Sequence, residues 1–288
     1  MSLATDLFVP SPIGLISVRT KGLEDRPERV VVLVQGSNLS GQTGYDFSFP
    51  GATDYSLMDA LTDRAHGGSV GAVTFALRGY GESTPPEDPL ASDTESAIED
   101  LTAVMDWLEG QGYREVALLG WSWGGRIIGH YAARFPDRVS RLILLGPAIG
   151  GGDPVLPAPT EGWWLNTRDD YRIRLDPKLM EPKALEALID HIAIHDPRAP
   201  NAIRVENARG SVGIDPATVT SPTMLIYGSE GGRAVYMKGV MSREVFFEAI
   251  ATRDKQLVVV PDSSDYVMFQ GRRRQVQNLV LQFVTAAV

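Results

Sequence analysis

Residues 115–125 read EVALLGWSWGG, an apolar run that stops at a glycine and is followed by one serine between two tryptophans. Gly120 and Gly124 flank Ser122 in the pattern G-x-S-x-G. Glycine lacks the Cβ atom that clashes where a chain passes sharply from a strand into a helix. The motif therefore predicts a strand, a tight turn that exposes the Ser122 hydroxyl, and a helix. A serine hydroxyl becomes a nucleophile only when a neighbouring base takes its proton, so residues elsewhere in the chain decide the chemistry.

The composition limits the class of protein. The chain has 288 residues, of which 43 % are apolar, no cysteine, and a formal net charge of −9. This length suits one large α/β domain, or one domain with an insertion. The acidic balance disfavours a nucleic-acid partner, and the lack of cysteine excludes disulfide bonds and cysteine-bound metals. Because we find no N-terminal signal pattern and no apolar run near ~18 residues, we expect a cytoplasmic protein with no membrane partner.

Strand and helix patterns alternate on both sides of the serine. Strand-like apolar runs occupy residues 29–34, 69–77, 115–119, 139–145, 222–227 and 256–260. Helical spacing of apolar residues occupies residues 55–66, 92–110, 124–135, 243–252 and a last segment that runs through Phe283. Strands that are apolar on both faces and alternate with helices predict an α/β protein with a mostly parallel sheet covered on both sides. Residues 6–20 predict a preceding hairpin with Pro10, Pro12 and Gly14 at its turn.

The alternation breaks after Pro147 and resumes at Pro222. An insertion at the carboxyl edge of a parallel sheet is typical of a lid over a site. We therefore predict a core domain of residues 1–149 and 217–288. A small, partly helical lid, inserted after the sixth strand, is predicted for residues 150–216.

The serine motif, with a strand before it and a helix after it, resembles the nucleophile elbow of the α/β-hydrolase fold family, and the resemblance covers nearly the whole chain. Residues 77–83, LRGYGES, resemble the family's R-G-x-G-x-S loop after its fourth strand. Residues 34–36, VQG, resemble the H-G loop that supplies half of the oxyanion hole, with Gln35 in place of the histidine. The resemblance implies that the backbone N–H groups of Ser37 and Trp123 point at one spot, where they would stabilise a developing oxyanion.

This sequence departs from that family's pattern at two of the three catalytic positions. The acid expected after the seventh strand, in a G-x-x-D run, is Gly231 here, and Glu230 stands one residue earlier. The histidine expected after the eighth strand is Asp265, and no histidine follows His195. His191 and His195 lie four residues apart on one predicted lid helix, so a lid histidine that reaches the serine from above stays open. As a metal site this pair lacks a third ligand.

Three interpretations of Ser122 follow, and we favour the first. In a non-hydrolytic lyase or cyclase of secondary metabolism, Asp265 abstracts a proton next to a carbonyl while Ser122 and the oxyanion amides hold the enolate oxygen. Such elimination, cyclisation or isomerisation needs no acyl-enzyme and therefore no histidine relay. In the second interpretation, a serine esterase or thioesterase uses a rewired relay with Asp265 or a lid histidine as base, supported by Glu230. In the third, the chain binds a small molecule without catalysis.

The predicted pocket is aromatic, with few charges. We expect the substrate to be bound by Gln35, Asn38, Trp121, Trp163, Trp164 and Tyr266. Such a cavity suits an apolar acyl or polyketide-like small molecule, with no cofactor and no metal. We interpret Arg78 and Arg126 as structural, and His66 and His130 as helix residues outside the site.

Overall fold

The structure, a computed structural model, describes residues 3–63, 70–231 and 237–287. Its strands are β1 (Thr5–Ser11), β2 (Gly14–Lys21), β3 (Arg29–Val34), β4 (Val70–Phe75), β5 (Val116–Trp121), β6 (Val139–Leu145), β7 (Asp153–Pro154), β8 (Trp163–Leu165), β9 (Arg198–Pro200), β10 (Thr223–Gly228), β11 (Met237–Lys238) and β12 (Lys255–Val260). Its helices are α1 (Gly41–Tyr45), α2 (Leu57–Thr62), α3 (Thr94–Gly110), α4 (Trp123–Arg134), α5 (Arg168–Arg174), α6 (Pro182–His195), α7 (Ala202–Ala208), α8 (Arg243–Ala249) and α9 (Arg273–Thr285).

One large sheet organises the described residues. Its eight strands lie in the order β1-β2-β4-β3-β5-β6-β10-β12. The N-terminal hairpin is present, and β1, β2 and β4 pair antiparallel. Every neighbouring pair from β4 to β12 is parallel. The predicted α/β class with a mostly parallel sheet is therefore confirmed.

Apolar layers cover both faces of the sheet, which explains why the strands read as continuous apolar runs. In β3, Val30 and Val32 face a layer built from α3, α4 and α8, whereas Val31 and Leu33 face a layer built from α2, α6 and α9. Successive side chains of a strand point to opposite faces, so one short run fills both layers. The first predicted helix, residues 55–66, corresponds to α2, and residues 64–66 lie outside the described part.

The chain between β6 and β10 carries three short strands and three helices. Buried polar contacts connect it to the loop after β3. Asp196 accepts hydrogen bonds from the Ser40 backbone N–H at 3.0 Å and from the Ser40 hydroxyl at 3.1 Å. Asn166 donates to the Asn38 carbonyl at 2.7 Å. These contacts place the segment beside the end of β3, while the domain limits 150–216 stay a prediction.

Candidate active site

Ser122 occupies a strained turn between β5 and α4, with φ 54° and ψ −114°. A Cβ at Gly120 would lie 2.3 Å from the Gly124 carbonyl oxygen, and one at Gly124 would lie 2.2 Å from the Val34 carbonyl oxygen. Only glycine fits at both positions, as the motif predicts. The Ser122 backbone N–H donates to the Leu145 carbonyl at 3.0 Å, which ties the turn to the end of β6. Strain of this kind persists only where the surrounding structure enforces it, and it is common at functional sites.

A cavity of about 290 Å³ opens beside Ser122, at the carboxyl ends of the parallel strands. Seven of the residues predicted for the site line it: Ser37, Asn38, Trp121, Ser122, Trp123, Asp265 and Tyr266. Ligands of α/β proteins bind at this edge of the sheet. The structure therefore brings the serine, the oxyanion loop and the predicted carboxylate to one pocket.

The Ser37 and Trp123 amides are suited to bind an oxyanion. Both residues line the cavity, and within the described residues neither backbone N–H donates a hydrogen bond. Trp123 is the first residue of α4, where helical amides have no intrahelical acceptor. The Tyr80 hydroxyl donates to the Ser37 carbonyl at 2.7 Å and so holds this loop in place. Burial raises the pKa of Tyr80, which therefore stays a protonated donor. The sequence pattern does not assign this role to Tyr80, although the residue stands in the R-G-x-G-x-S loop.

Asp265 is held by contacts on several sides. Arg243 Nη2 lies 2.7 Å from Asp265 Oδ2, and Trp121 Nε1 donates to the Asp265 carbonyl at 2.7 Å. A Cβ at Gly146 would lie 2.9 Å from the Asp265 Cγ, so the carboxylate packs over the end of β6, next to the Ser122 turn. The structure thus places a guanidinium-paired carboxylate in the pocket with Ser122.

Comparison with known proteins agrees with this architecture. A sequence model of the alpha/beta hydrolase fold matches residues 48–171. The enol-lactonase of Burkholderia xenovorans has a similar structure, with a TM-score of 0.70 and 18 % identity over 97 % of this chain and 100 % of that one. The chain has the α/β-hydrolase fold.

Sequence similarity to curated relatives is partial. A (lyso)-N-acylphosphatidylethanolamine lipase of Bos taurus is 40 % identical over 86 residues, which is 30 % of this chain and 24 % of the lipase. The chain thus aligns with about a quarter of the length of this relative and of its human and mouse counterparts. A monoacylglycerol lipase of Mycolicibacterium smegmatis is 25 % identical over 232 residues, which is 76 % of this chain and 79 % of that one. The named relatives are hydrolases.

Four predicted site residues of this chain do not line the cavity. Gln35 lies fully buried behind it, where its Oε1 accepts from the Gly41 and Leu77 amides, a scaffold role instead of a substrate contact. Glu230 is exposed. Trp163 lies under the Arg198 guanidinium at 4.1 Å. The Trp164 ring lies 4.0 Å from the Arg204 guanidinium carbon and 5.5 Å from that of Arg174, and these two arginines line the cavity in its place.

The described histidines do not supply a base to Ser122, because none of them lines the cavity. His191 Nε2 lies 3.1 Å from Thr43 Oγ1, and burial, His195 and Arg19 lower the pKa of His191 to about 4. His195 is exposed. Burial lowers the pKa of His130, which contacts the Val212 carbonyl. His66 lies outside the described residues. In the described residues, therefore, no lid histidine is placed to act as the base for Ser122.

The cavity is more highly charged than the sequence predicts. Four arginines line the cavity, namely Arg126, Arg174, Arg204 and Arg243. The prediction of a pocket with few charges is therefore wrong. Three of these arginines come from helices remote from Ser122 in sequence, and nothing in their spacing connects them to the motif. Arg78 is structural as predicted, since its Nη2 lies 2.8 Å from the fully buried Asp100 of α3.

Neither a metal-binding cluster nor a membrane-spanning helix is found among the described residues. No group of three or more histidine, aspartate or glutamate side chains there is arranged to hold a metal ion. No helix in the same ranges has the length and apolarity needed to cross a membrane.

Proposed function

We propose that the protein hydrolyses an ester-type bond, a carboxylic ester or thioester, of a small molecule, with Ser122 as the attacking group. One observation carries the proposal. The strained Ser122 turn opens on a cavity whose wall also holds the Ser37 and Trp123 amides, and neither amide donates within the described residues. The lipases and the lactonase that the chain resembles support hydrolysis over other chemistry.

The site supplies each group that acyl transfer needs. The substrate carbonyl oxygen accepts from the Ser37 and Trp123 amides, which stabilise the negative charge that develops on it. Asp265, the carboxylate among the described lining residues, takes the proton as Ser122 Oγ bonds to the carbonyl carbon. The leaving alcohol or thiol carries that proton away, and water then attacks the acyl-serine in the same manner. A direct carboxylate base replaces an imidazole, so we expect turnover well below that of a complete triad, where loss of one member typically costs several orders of magnitude.

One observation favours a second candidate function. Asp265 stands where the fold's pattern has an imidazole, and Arg243 holds it 2.7 Å away in an ion pair. A fixed carboxylate beside an oxyanion hole is suited to remove a proton next to a carbonyl. Elimination, cyclisation or isomerisation then proceeds while Ser122 donates a hydrogen bond to the enolate oxygen, and no acyl-enzyme forms.

The state of Ser122 separates these functions. The purified protein is treated with a fluorophosphonate probe and, separately, with p-nitrophenyl acetate, and the intact mass is measured, with Ser122→Ala as the control. Hydrolysis predicts covalent labelling and an acetyl adduct on the wild-type protein only, both slowed by Asp265→Asn. The proton-abstraction alternative predicts neither adduct, but Asp265-dependent exchange of α-hydrogens of a bound ketone in deuterated water. If neither adduct nor exchange occurs, the protein is a binding protein and both enzymatic functions are wrong.

A further inference from the structure

One carboxylate of the chain between β6 and β10 is connected to both sides of the Ser122 turn. It belongs to Glu206 of α7, whose side chain is 18 % exposed and which is not among the described residues that line the cavity. We infer that Glu206 is a positioning residue, which holds the Ser122 turn and the Trp123 amide in place through two separate chains of hydrogen bonds. The inference rests on the proposed function and deepens it, since it assigns part of the catalytic geometry to a residue that acts through its neighbours.

The first chain leads from Glu206 to Trp123 through the start of α3. Glu206 Oε2 accepts from the Thr94 backbone N–H at 2.9 Å and from the Thr94 hydroxyl at 2.6 Å. The oxygen of the same hydroxyl accepts from Trp123 Nε1 at 2.9 Å. Thr94 and Trp123 are both buried, so little water competes with these hydrogen bonds. The chain thus fixes the indole ring of the residue whose backbone N–H we assign to the oxyanion hole.

The second chain leads from the other carboxylate oxygen of Glu206 to Ser122. Glu206 Oε1 accepts from Arg126 Nη1 at 2.9 Å, and Arg126 Nε donates to the Ala148 carbonyl at 3.2 Å. The Ala148 backbone N–H in turn donates to the Ser122 carbonyl at 2.8 Å. Burial lowers the pKa of Arg126 and Glu206 opposes this shift, so the ion pair stabilises the buried guanidinium in its place.

The two chains meet a turn that needs support. Ser122 has φ 54°, and strained backbone of this kind persists only where its neighbours enforce it. An oxyanion hole is effective only when its donors are held in position before the charge develops. Because the two oxygens of one carboxylate serve the two chains, both chains form only when α7 is docked on α3 and α4. The position of α7 and the geometry of the oxyanion hole are therefore coupled through Glu206.

The test first breaks the chain at Thr94, which leaves the Glu206–Arg126 ion pair intact. Thr94→Val removes the hydroxyl and keeps the shape of the side chain, whereas Thr94→Ser keeps the hydroxyl. With p-nitrophenyl acetate as substrate, Thr94→Val should lower kcat by about fivefold to tenfold with KM little changed, because an oxyanion donor acts mainly in the transition state. Thr94→Ser should retain most of the wild-type kcat. The matched control in the same helix is Thr102→Val, which removes a hydroxyl that donates to the Ile98 carbonyl at 2.7 Å and should leave kcat unchanged.

Glu206→Gln weakens both chains, because an amide offers one acceptor oxygen where the carboxylate offers two. It should therefore lower kcat further than Thr94→Val does, again with KM little changed. All rates are measured at a temperature where circular dichroism shows each variant to be folded. Should Glu206→Gln fail to fold, because it leaves the buried Arg126 without its counter-charge, the comparison of Thr94→Val with Thr94→Ser and Thr102→Val still decides.

Backbone hydrogen exchange, followed by mass spectrometry, tests the two chains without turnover. In peptides that span residues 120–126, exchange should be faster in Thr94→Val and Glu206→Gln than in Thr102→Val. If the wild-type protein hydrolyses no ester but this difference in exchange is found, the proposed hydrolysis fails and the positioning role of Glu206 stands. If the wild-type protein is active and Thr94→Val has the same kcat as Thr102→Val, or changes KM alone, the inference is overturned and the hydrolysis stands. An inactive wild-type protein with equal exchange in all variants would overturn both.

Discussion

The carboxylate of Asp265 fills the space that a side chain at Gly231 would occupy. A Cβ built on Gly231 would lie 2.2 Å from Asp265 Oδ1 and 2.8 Å from its Cγ. By the sequence resemblance, these are the two catalytic positions at which the chain departs from the α/β-hydrolase pattern, and the two positions are in steric contact. A side chain at residue 231 would therefore overlap the Asp265 carboxylate in its present position.

The first prediction tests this contact. Gly231→Ala should lower the free energy of unfolding by about 1–3 kcal/mol, because the Arg243 ion pair and the packing on Gly146 hinder Asp265 from moving away. Chemical denaturation measures it. Gly110→Ala is the control, since nothing lies within 4 Å of its Cβ position, and should be neutral or stabilising. In an Asp265→Ala background the cost of Gly231→Ala should nearly vanish, and equal costs in both backgrounds would show that the contact is not responsible.

The second prediction concerns strain at the elbow. Ser122 has φ 54° although it carries a Cβ. The free energy of unfolding should be about 1 kcal/mol higher for Ser122→Gly than for Ser122→Ala, because glycine relieves the strain and alanine keeps it. Both variants remove the hydroxyl, so any difference between them comes from the backbone. Urea denaturation of the pair is the measurement, and a less stable glycine variant would contradict the assigned strain.

The third prediction concerns Tyr80 as a positioning residue. Tyr80→Phe removes the 2.7 Å hydrogen bond to the Ser37 carbonyl and loosens the oxyanion loop. If the protein hydrolyses esters as proposed, kcat should fall by about tenfold with KM little changed, since the amide acts mainly in the transition state. The control is Tyr45→Phe, which removes an equally short bond to the Val34 carbonyl and leaves Ser37 untouched. Equal losses of kcat in both variants would indicate general destabilisation instead.

Local sequence chemistry accounts for much of this fold and for part of the site. The elbow, the oxyanion loop and Asp265 are predictable because each follows directly from a strand end, and parallel strands bring their ends together at one sheet edge. The hairpin and the mostly parallel sheet are predictable in the same way, from the spacing of apolar residues and from the turn residues.

The arginines of the pocket are not predictable from such patterns. Arg174 and Arg204 come from short helices between β6 and β10, and the tertiary structure brings them to the cavity beside Ser122, where both lie near the Trp164 ring. Gln35 shows the opposite error. It stands in a loop that lines the site, yet its side chain turns inward to satisfy two buried amides. Side-chain direction in loops depends on the hydrogen-bond needs of neighbouring chain segments, which sequence spacing does not reveal.

His191 connects the α6 helix to the loop after β3 in its neutral form. Its ring lies 5.5 Å from the Phe47 ring and 4.3 Å from the His195 ring. Burial disfavours the protonated ring, and His195 and Arg19 oppose a second positive charge beside them, which is why the pKa of His191 is lowered to about 4.

The fourth prediction follows from the sign of this shift. Between pH 6.5 and 4 the unfolded chain binds a proton at His191 and the folded protein does not, so the free energy of unfolding decreases as the pH is lowered through this window. Because the ring is only partly buried, the expected loss is of the order of 1–2 kcal/mol after allowance for solvent screening. His191→Gln should remove this part of the decrease, and urea denaturation of both proteins at several pH values measures it. Comparison at pH 7.5, where His191 is neutral in both states, separates lost packing from titration. Parallel pH profiles for the two proteins would show that His191 does not destabilise the fold in acid.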